Sequence, residues 1–205
     1  MGNEVNCVVR FGNRKSRGKA LLETSELIFR SEDGALRLKI VFSTITSAKA
    51  VDGELRLESP EGLAVFTLGA NAAKWCDKIL HPKSRMEKLG VKPGATICLL
   101  GNFDATFLTE MNALTKNVMH GKVSGAPECV FFSAESGKEL AQVLKLAKNM
   151  EGAAALWIVY PKGQKQITEN DVLAAGRKAG LKDVKVVGFS ATHTALKFVI
   201  PVSNR

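Results

Sequence analysis

In the stretch VKPGATICLLGNFDATF, residues 91–107, an apolar run ends in Gly101-Asn102-Phe103-Asp104. A buried strand that reaches a glycine and passes into a helix is how many cofactor-binding domains begin. The glycine admits a ligand to the backbone, and the first helical turn offers free amides and the positive end of a dipole. Two more apolar runs end in polar residues: ECVFFSAES delivers Ser133, Glu135 and Ser136, and LWIVYPKG delivers Lys162. As neighbouring parallel strands these runs would bring Gly101, Asn102, Asp104, Ser133, Glu135, Ser136 and Lys162 to one edge of a sheet. The chemistry of such a set is binding, and a small anionic ligand suits its amides and its lysine. The expected role is nevertheless structural, with Asp104 and Ser136 capping helices while Pro161 and Gly163 turn the chain.

Other chemistries find no support. His81, His120 and His193 fall in predicted loops or joins, and no HExxH, GxSxG or GxxxxGK[ST] pattern occurs. Cys7, Cys76, Cys98 and Cys129 are too widely spaced for CxxC chemistry or a zinc knuckle. Cys98 and Cys129 lie in apolar runs where a thiol acts as a small hydrophobe, so a reduced, cytoplasmic protein is expected. No catalytic residue, metal site or cofactor is assigned. A pI near 9.5 raises the question of nucleic acid, but aromatics are 6% of the chain. Single-strand binders pair basic grooves with exposed aromatics, and the basic residues of the second half are dispersed rather than clustered, so nucleic acid is a disfavoured partner. No apolar stretch approaches the roughly 18 residues of a membrane span.

Two halves must position these residues. Residues 1–80 carry 12 Lys/Arg and 10 Asp/Glu, whereas 81–205 carry 17 and 10. The first half alternates as strands do, in seven short runs from VNCVVRF to GLAVFTLG, separated by turn signals such as Asp52-Gly53. Its densest basic stretch, Arg10, Arg14, Lys15 and Arg17, is expected in a solvated hairpin loop. NAAKWCDKIL then places Ala72, Trp75, Cys76 and Ile79 at helical spacing, with Asn71 as the expected N-cap. Ser84 is expected to cap a short helix that Gly90 ends.

The second half alternates strand and helix, which implies right-handed crossovers and a mostly parallel sheet. Its first helix is expected to present Phe107, Met111, Leu114 and Val118, running to about Met119. The second is expected to open on a Ser136/Glu139 capping box with Leu140, Val143, Leu144 and Ala147 inward. The third opens on Thr168 and Asp171, and two final strands close the chain around His193.

Seven antiparallel strands followed by one amphipathic helix resemble a pleckstrin-homology-like barrel, with Trp75 as the plug. VKPGATICLLGNFD is similar to the first strand of a class I, S-adenosylmethionine-dependent methyltransferase. ECVFFSAESGKELAQVLKLAKNMEGAAALWIVYPKG is similar to the fourth strand, helix and fifth strand of that fold, and the final two strands to its antiparallel hairpin. KLGVKPG, LWIVYPKG and ALKFVIP also resemble an uncharacterised bacterial family of a domain of unknown function. The methyltransferase resemblance implies glycines after strand one and an acidic ribose acceptor after strand two. Gly101 is followed by no second glycine, and the eight residues HGKVSGAP are too few for two strands and a helix. The implied cofactor site is therefore degenerate.

The expected fold class is an α+β two-domain chain. Residues 1–82 form a small antiparallel PH-like β-barrel with a C-terminal helix. Residues 83–205 form a Rossmann-like α/β sheet, mostly parallel, with a terminal antiparallel hairpin. The expected function is that of a non-catalytic binding or interaction module, its partner another protein or a second copy. The alternatives are an enzyme of methyltransferase-like fold using the strand-end cleft, and an anion or nucleic-acid binder.

Overall fold

The computed structural model describes residues 3–204. The chain divides into two units, split between Lys83 and Ser84.

The first unit holds β1 (Asn3–Phe11), β2 (Arg14–Leu22), β3 (Glu26–Ser31), β4 (Arg37–Val41), β5 (Ser47–Val51), β6 (Glu54–Ser59) and β7 (Gly62–Thr67). All pair antiparallel in the order β4-β3-β2-β1-β7-β6-β5. The two edge strands, β4 and β5, are joined by residues 42–46 alone. Laid flat, seven strands at roughly 4.8 Å spacing would be about 29 Å wide. The six Cα steps from Val41 to Ser47 reach about 22 Å at most. The sheet therefore curls, bringing its edges towards each other around a core.

Alternation fills that core. Val9, Ala20, Leu27, Phe29, Leu55, Leu57 and Phe66 point inward and are fully buried. The helix α1 (Asn71–Leu80) adds Ala72, Trp75, Cys76 and Ile79 to the same cluster. Gly18 is required where β2 meets β3, because a Cβ there would collide with the Arg30 carbonyl and the Phe29 ring. Two expectations are corrected. The basic stretch is not a loop: β1 and β2 are joined by Gly12-Asn13 alone, so Arg10, Arg14, Lys15 and Arg17 all stand on paired strands. Asn71 is the first helical residue, and Ala70 holds the N-cap position without a side-chain hydrogen bond.

The second unit opens with α2 (Arg85–Leu89), β8 (Ile97–Leu100), α3 (Ala105–Leu114), β9 (Val118–His120) and β10 (Cys129–Ser133). It continues with α4 (Val143–Lys148), β11 (Ala155–Pro161), α5 (Glu169–Lys178), β12 (Lys182–Gly188) and β13 (His193–Val199). Its mixed sheet has the order β12-β13-β11-β10-β8-β9. β9, β8, β10 and β11 are parallel, and β13 runs antiparallel to both β11 and β12. Successive residues of the central strands enter opposite cores. Cys98, Val130, Phe132, Leu156 and Ile158 pack on one face, and Ile97, Leu99, Phe131, Trp157 and Val159 on the other. This two-faced burial is why these runs are apolar throughout. No helix among the described residues is long and apolar enough to cross a membrane.

Two elements depart from the sequence reading. The first helix ends at Leu114, where buried Thr115 donates to the Ala95 carbonyl at 2.8 Å and turns the chain. Val118 to His120 then pair with Ile97 to Leu99 as a second parallel strand. In the next segment a 3-10 turn, Glu139–Gln142, precedes α4. The buried residues are Leu140 in that turn and Val143 and Leu146 in α4, so the tighter first turn shifts the inward face of the segment. Leu144, expected inward, is 46% exposed as a result.

The indole Nε1 of fully buried Trp157 has no hydrogen-bond partner. An unmade hydrogen bond at a buried donor costs about 1–3 kcal/mol. Trp157→Phe removes that donor along with some packing volume, and Phe131 stacks on it at 6.3 Å. The two effects oppose each other, so the substitution is expected to change stability by less than about 1 kcal/mol. A loss of about 3 kcal/mol in urea titration would show that the donor carries no penalty.

Candidate functional site

The parallel strands β8, β10 and β11 deliver their carboxyl ends side by side. This is the edge where open α/β sheets bind ligands, beside the point at which strand order reverses. β8 lies between β9 and β10, so the reversal falls at Gly101 and Ser133. Those two residues follow the paired positions Leu100 and Phe132 and lie close together. Gly101 has φ +90°, and a Cβ there would lie 2.7 Å from the Ser133 carbonyl oxygen. The glycine thus serves a close approach of one strand end to another. Ser133 is itself 8% exposed.

Asp104 is engaged on both sides. Its carboxylate caps α3, accepting the Phe107 amide at 2.7 Å. It also receives the Arg85 guanidinium at 3.1 and 3.4 Å. Arg85 in turn donates to Glu110 at 2.9 Å and to the Phe189 carbonyl at 3.3 Å. Its guanidinium lies 5.2 and 5.1 Å from the ring centres of Phe107 and Phe189, a cation–π arrangement. Desolvation pushes the Asp104 carboxyl up, but the Phe107 amide and Arg85 outweigh it and hold it below the usual range.

The other two helix starts at this edge are filled in the same way. Glu139 returns to the preceding loop, where its carboxylate accepts the amides of Glu135 and Ser136 at 2.6 and 3.3 Å. The expected box is thus half made: Glu139 plays its part, while no side-chain cap opens this turn. At α5 the box is complete. Thr168 accepts the Asp171 amide at 3.2 Å, and Asp171 accepts the Thr168 amide at 2.9 Å. Each helix start therefore carries a carboxylate from its own chain where an external anion would bind. Lys162, the expected cation, donates to the Ser190 carbonyl at 2.7 Å. Asn102 is exposed.

The second strand, β9, is the place where the methyltransferase resemblance implies a ribose acid. It ends in His120-Gly121-Lys122, with no carboxylate. The second strand is thus present, contrary to the expectation from segment length, but the acid is not.

Two participants were missed by sequence reasoning. Arg85 lies in the short helix expected between Ser84 and Gly90, yet it ties Asp104 to Glu110. His193, placed in a loop, meets Glu135, with its Nε2 3.3 Å from Oε1. The His193 Nδ1 is 2.8 Å from the Thr192 hydroxyl, and Ser133 donates to Glu135 at 3.5 Å. The result is a carboxylate–imidazole–hydroxyl line at the end of β10. A separation of 58 residues in sequence left no local signal for it. The four cysteines are free and buried, and burial pushes the Cys7 thiol up to about 11. Such thiols are poor nucleophiles and poor metal ligands. Among the described residues no three of His, Cys, Asp and Glu converge as a metal site.

No family model matches the chain, and no curated protein matches it. Solved structures similar to it in backbone include a SAM-dependent methyltransferase from Aquifex aeolicus. That match has 15% identity and a TM-score of 0.43, covering 60% of this chain and 96% of that one. The fibrillarin of Aeropyrum pernix, with natively bound S-adenosyl-L-methionine, matches at 14% identity and TM-score 0.39, covering 97% and 100%. Magnesium protoporphyrin IX methyltransferase from Synechocystis PCC 6803, with bound SAM, matches at 14% and 0.39, covering 57% and 74%. These are likenesses at low identity, and no activity passes from those proteins to this chain.

Proposed function

We propose that the chain is a non-catalytic binding module of the cytoplasm, acting on a protein partner or a second copy. In this reading the second unit is a Rossmann-like domain, akin to methyltransferases and to a bacterial family of unknown function, whose cofactor site has been filled by its own side chains. The first unit is a pleckstrin-homology-like barrel. The observation that carries the reading is that each helix start at this edge holds a carboxylate of the chain itself, those of Asp104, Glu139 and Asp171. Titration calorimetry of the full chain with S-adenosylmethionine is expected to show no saturable heat at about 1 mM ligand, weaker than roughly −4 kcal/mol of binding. A micromolar or tighter Kd would overturn the reading.

The Glu135–His193–Thr192 line favours a second reading, an enzyme working at the same edge. A carboxylate that orients an imidazole towards a hydroxyl is the geometry of an activated nucleophile. Turnover of an activated ester that His193→Ala abolishes would support this second reading; rates equal to the variant's would remove it.

A further inference from the structure

We infer that the outer face of the curled sheet in the first unit binds the phosphate backbone of double-stranded DNA. This inference is independent of the reading of the second unit. Residues 1–80 are nearly balanced in charge, but the pleat sorts them. Nine of the 12 Lys/Arg occupy exposed, outward positions on strands. Only Glu4, Glu26, Glu54 and Glu58 share that face. Glu23, Glu32, Asp33, Asp52 and Glu61 lie instead in the turns.

The register makes the sorting costly. Arg10 stands directly opposite Lys15, and Lys49 opposite Arg56. Arg30 has Lys19 opposite it on one side and Arg37 on the other. Like charges facing each other across strands destabilise a sheet. Lysine or arginine placed singly on an outer face needs no explanation; four directly opposed like pairs do. Five of the bases have carboxylate partners, with Glu54 holding both Arg10 and Arg56 at 2.7 and 3.1 Å. Among the described residues, Lys15, Arg30, Arg37 and Lys49 have none. A polyanion that lies along the face relieves the repulsion and releases its own counterions.

Shape and composition select the polyanion. One basic row runs Lys15–Arg10–Val65–Arg56–Lys49 across five strands, a span of about 19 Å at the usual strand spacing. The other runs Lys19–Arg30–Arg37 around the opposite shoulder of the curl. A convex face with bases on both shoulders fits a groove flanked by two phosphate strands, and the major groove of B-DNA is about 12 Å wide. A flat bilayer would meet only one shoulder. The outward positions of these strands carry no aromatic residue, so the stacking that single strands require is missing.

The test uses the full chain and a labelled 20-base-pair DNA duplex, read by anisotropy across a salt series. Wild type is expected to bind, with affinity falling steeply as salt rises. Arg30→Gln/Arg37→Gln/Lys49→Gln is expected to weaken binding at least tenfold and to flatten the log–log salt slope by about two to three. Its thermal midpoint is expected to be unchanged or raised, because the like-charge pairs are relieved. Lys145→Gln/Lys148→Gln/Lys178→Gln removes the same charge from the second unit and is expected to change affinity less than twofold. Equal losses in the two triple variants would overturn the inference. So would the absence of duplex binding at low salt, tighter binding of a single strand, or binding of phosphatidylserine vesicles without binding of the duplex.

Discussion

Trp75→Ala is expected to destabilise the first unit by about 3–5 kcal/mol, the usual cost of deleting a buried tryptophan side chain. Trp75 is 1% exposed and packs in the cluster that β1–β7 and α1 share. The curled sheet has two edge strands, β4 and β5, that do not pair with each other. Its core is therefore closed by α1, and Trp75 is the largest residue that helix contributes, beside Ala72, Cys76 and Ile79. Amide exchange, followed by peptide across β1–β7, is expected to speed up by about a hundredfold or more, as 3 kcal/mol requires. Trp75→Phe keeps most of the aromatic volume and is expected to cost less than half as much. A change below about 1 kcal/mol for Trp75→Ala would mean that the sheet closes its core without the helix.

Arg85→Ala is expected to cost the second unit about 2–3 kcal/mol. The Arg85 side chain is 13% exposed, and its removal takes the guanidinium from Glu110 and the Phe189 carbonyl and leaves Asp104 with the Phe107 amide. Breaking a buried ion pair costs about 3–5 kcal/mol. Asp104 and Glu110 are 42% and 38% exposed, so water partly replaces the guanidinium and moves the cost to the low end. Arg85→Lys is expected to recover little, since an ammonium can neither fork to two carboxylates nor lie flat between Phe107 and Phe189. The loss also depends on pH. Asp104 titrates lower in the folded protein than in the unfolded chain, where the value is about 3.9. Its contribution is complete above that value and disappears as pH falls through the lower folded one. The stability gap between wild type and Arg85→Ala, measured by urea titration, is accordingly expected to narrow below about pH 4. A gap that stays constant down to pH 2 would show that the ring contacts, not the ion pairs, carry the effect.

Much of the architecture was written in local pattern. β2, β3, β4 and β6 announced themselves by alternation, since one face of that sheet is wet and the other dry. β8, β10 and β11 announced themselves by its opposite, continuous apolarity, since both of their faces are covered. The cap of α2 was legible at Ser84, whose hydroxyl accepts the Glu87 amide, and that of α5 at Thr168. β9 was not legible. Val118 continues the four-and-three spacing of α3, and three residues are too few to show a period of two. The winding around Leu140, Val143 and Leu146 was hidden for a related reason, because periods of 3 and 3.6 differ little over two turns.

What the amino-acid sequence determined alone is the burial pattern of the longer segments, hence the kind of element and the strand ends at which polar residues would collect. Tertiary structure decided what those ends are worth. Arg85 reaches Asp104 and Glu110 because α2 lies where it does, and Glu135 meets His193 because β13 returns alongside β11. The outward face of the first sheet followed the same rule. Its bases are scattered along the chain among nearly as many acids, and only the strand register sets Arg30 between Lys19 and Arg37. Periodicity depends on neighbours within a few residues, so one sequence displays it. Register and crossover depend on the whole sheet, and with them come the contacts that place carboxylates at one candidate site and build one charged face.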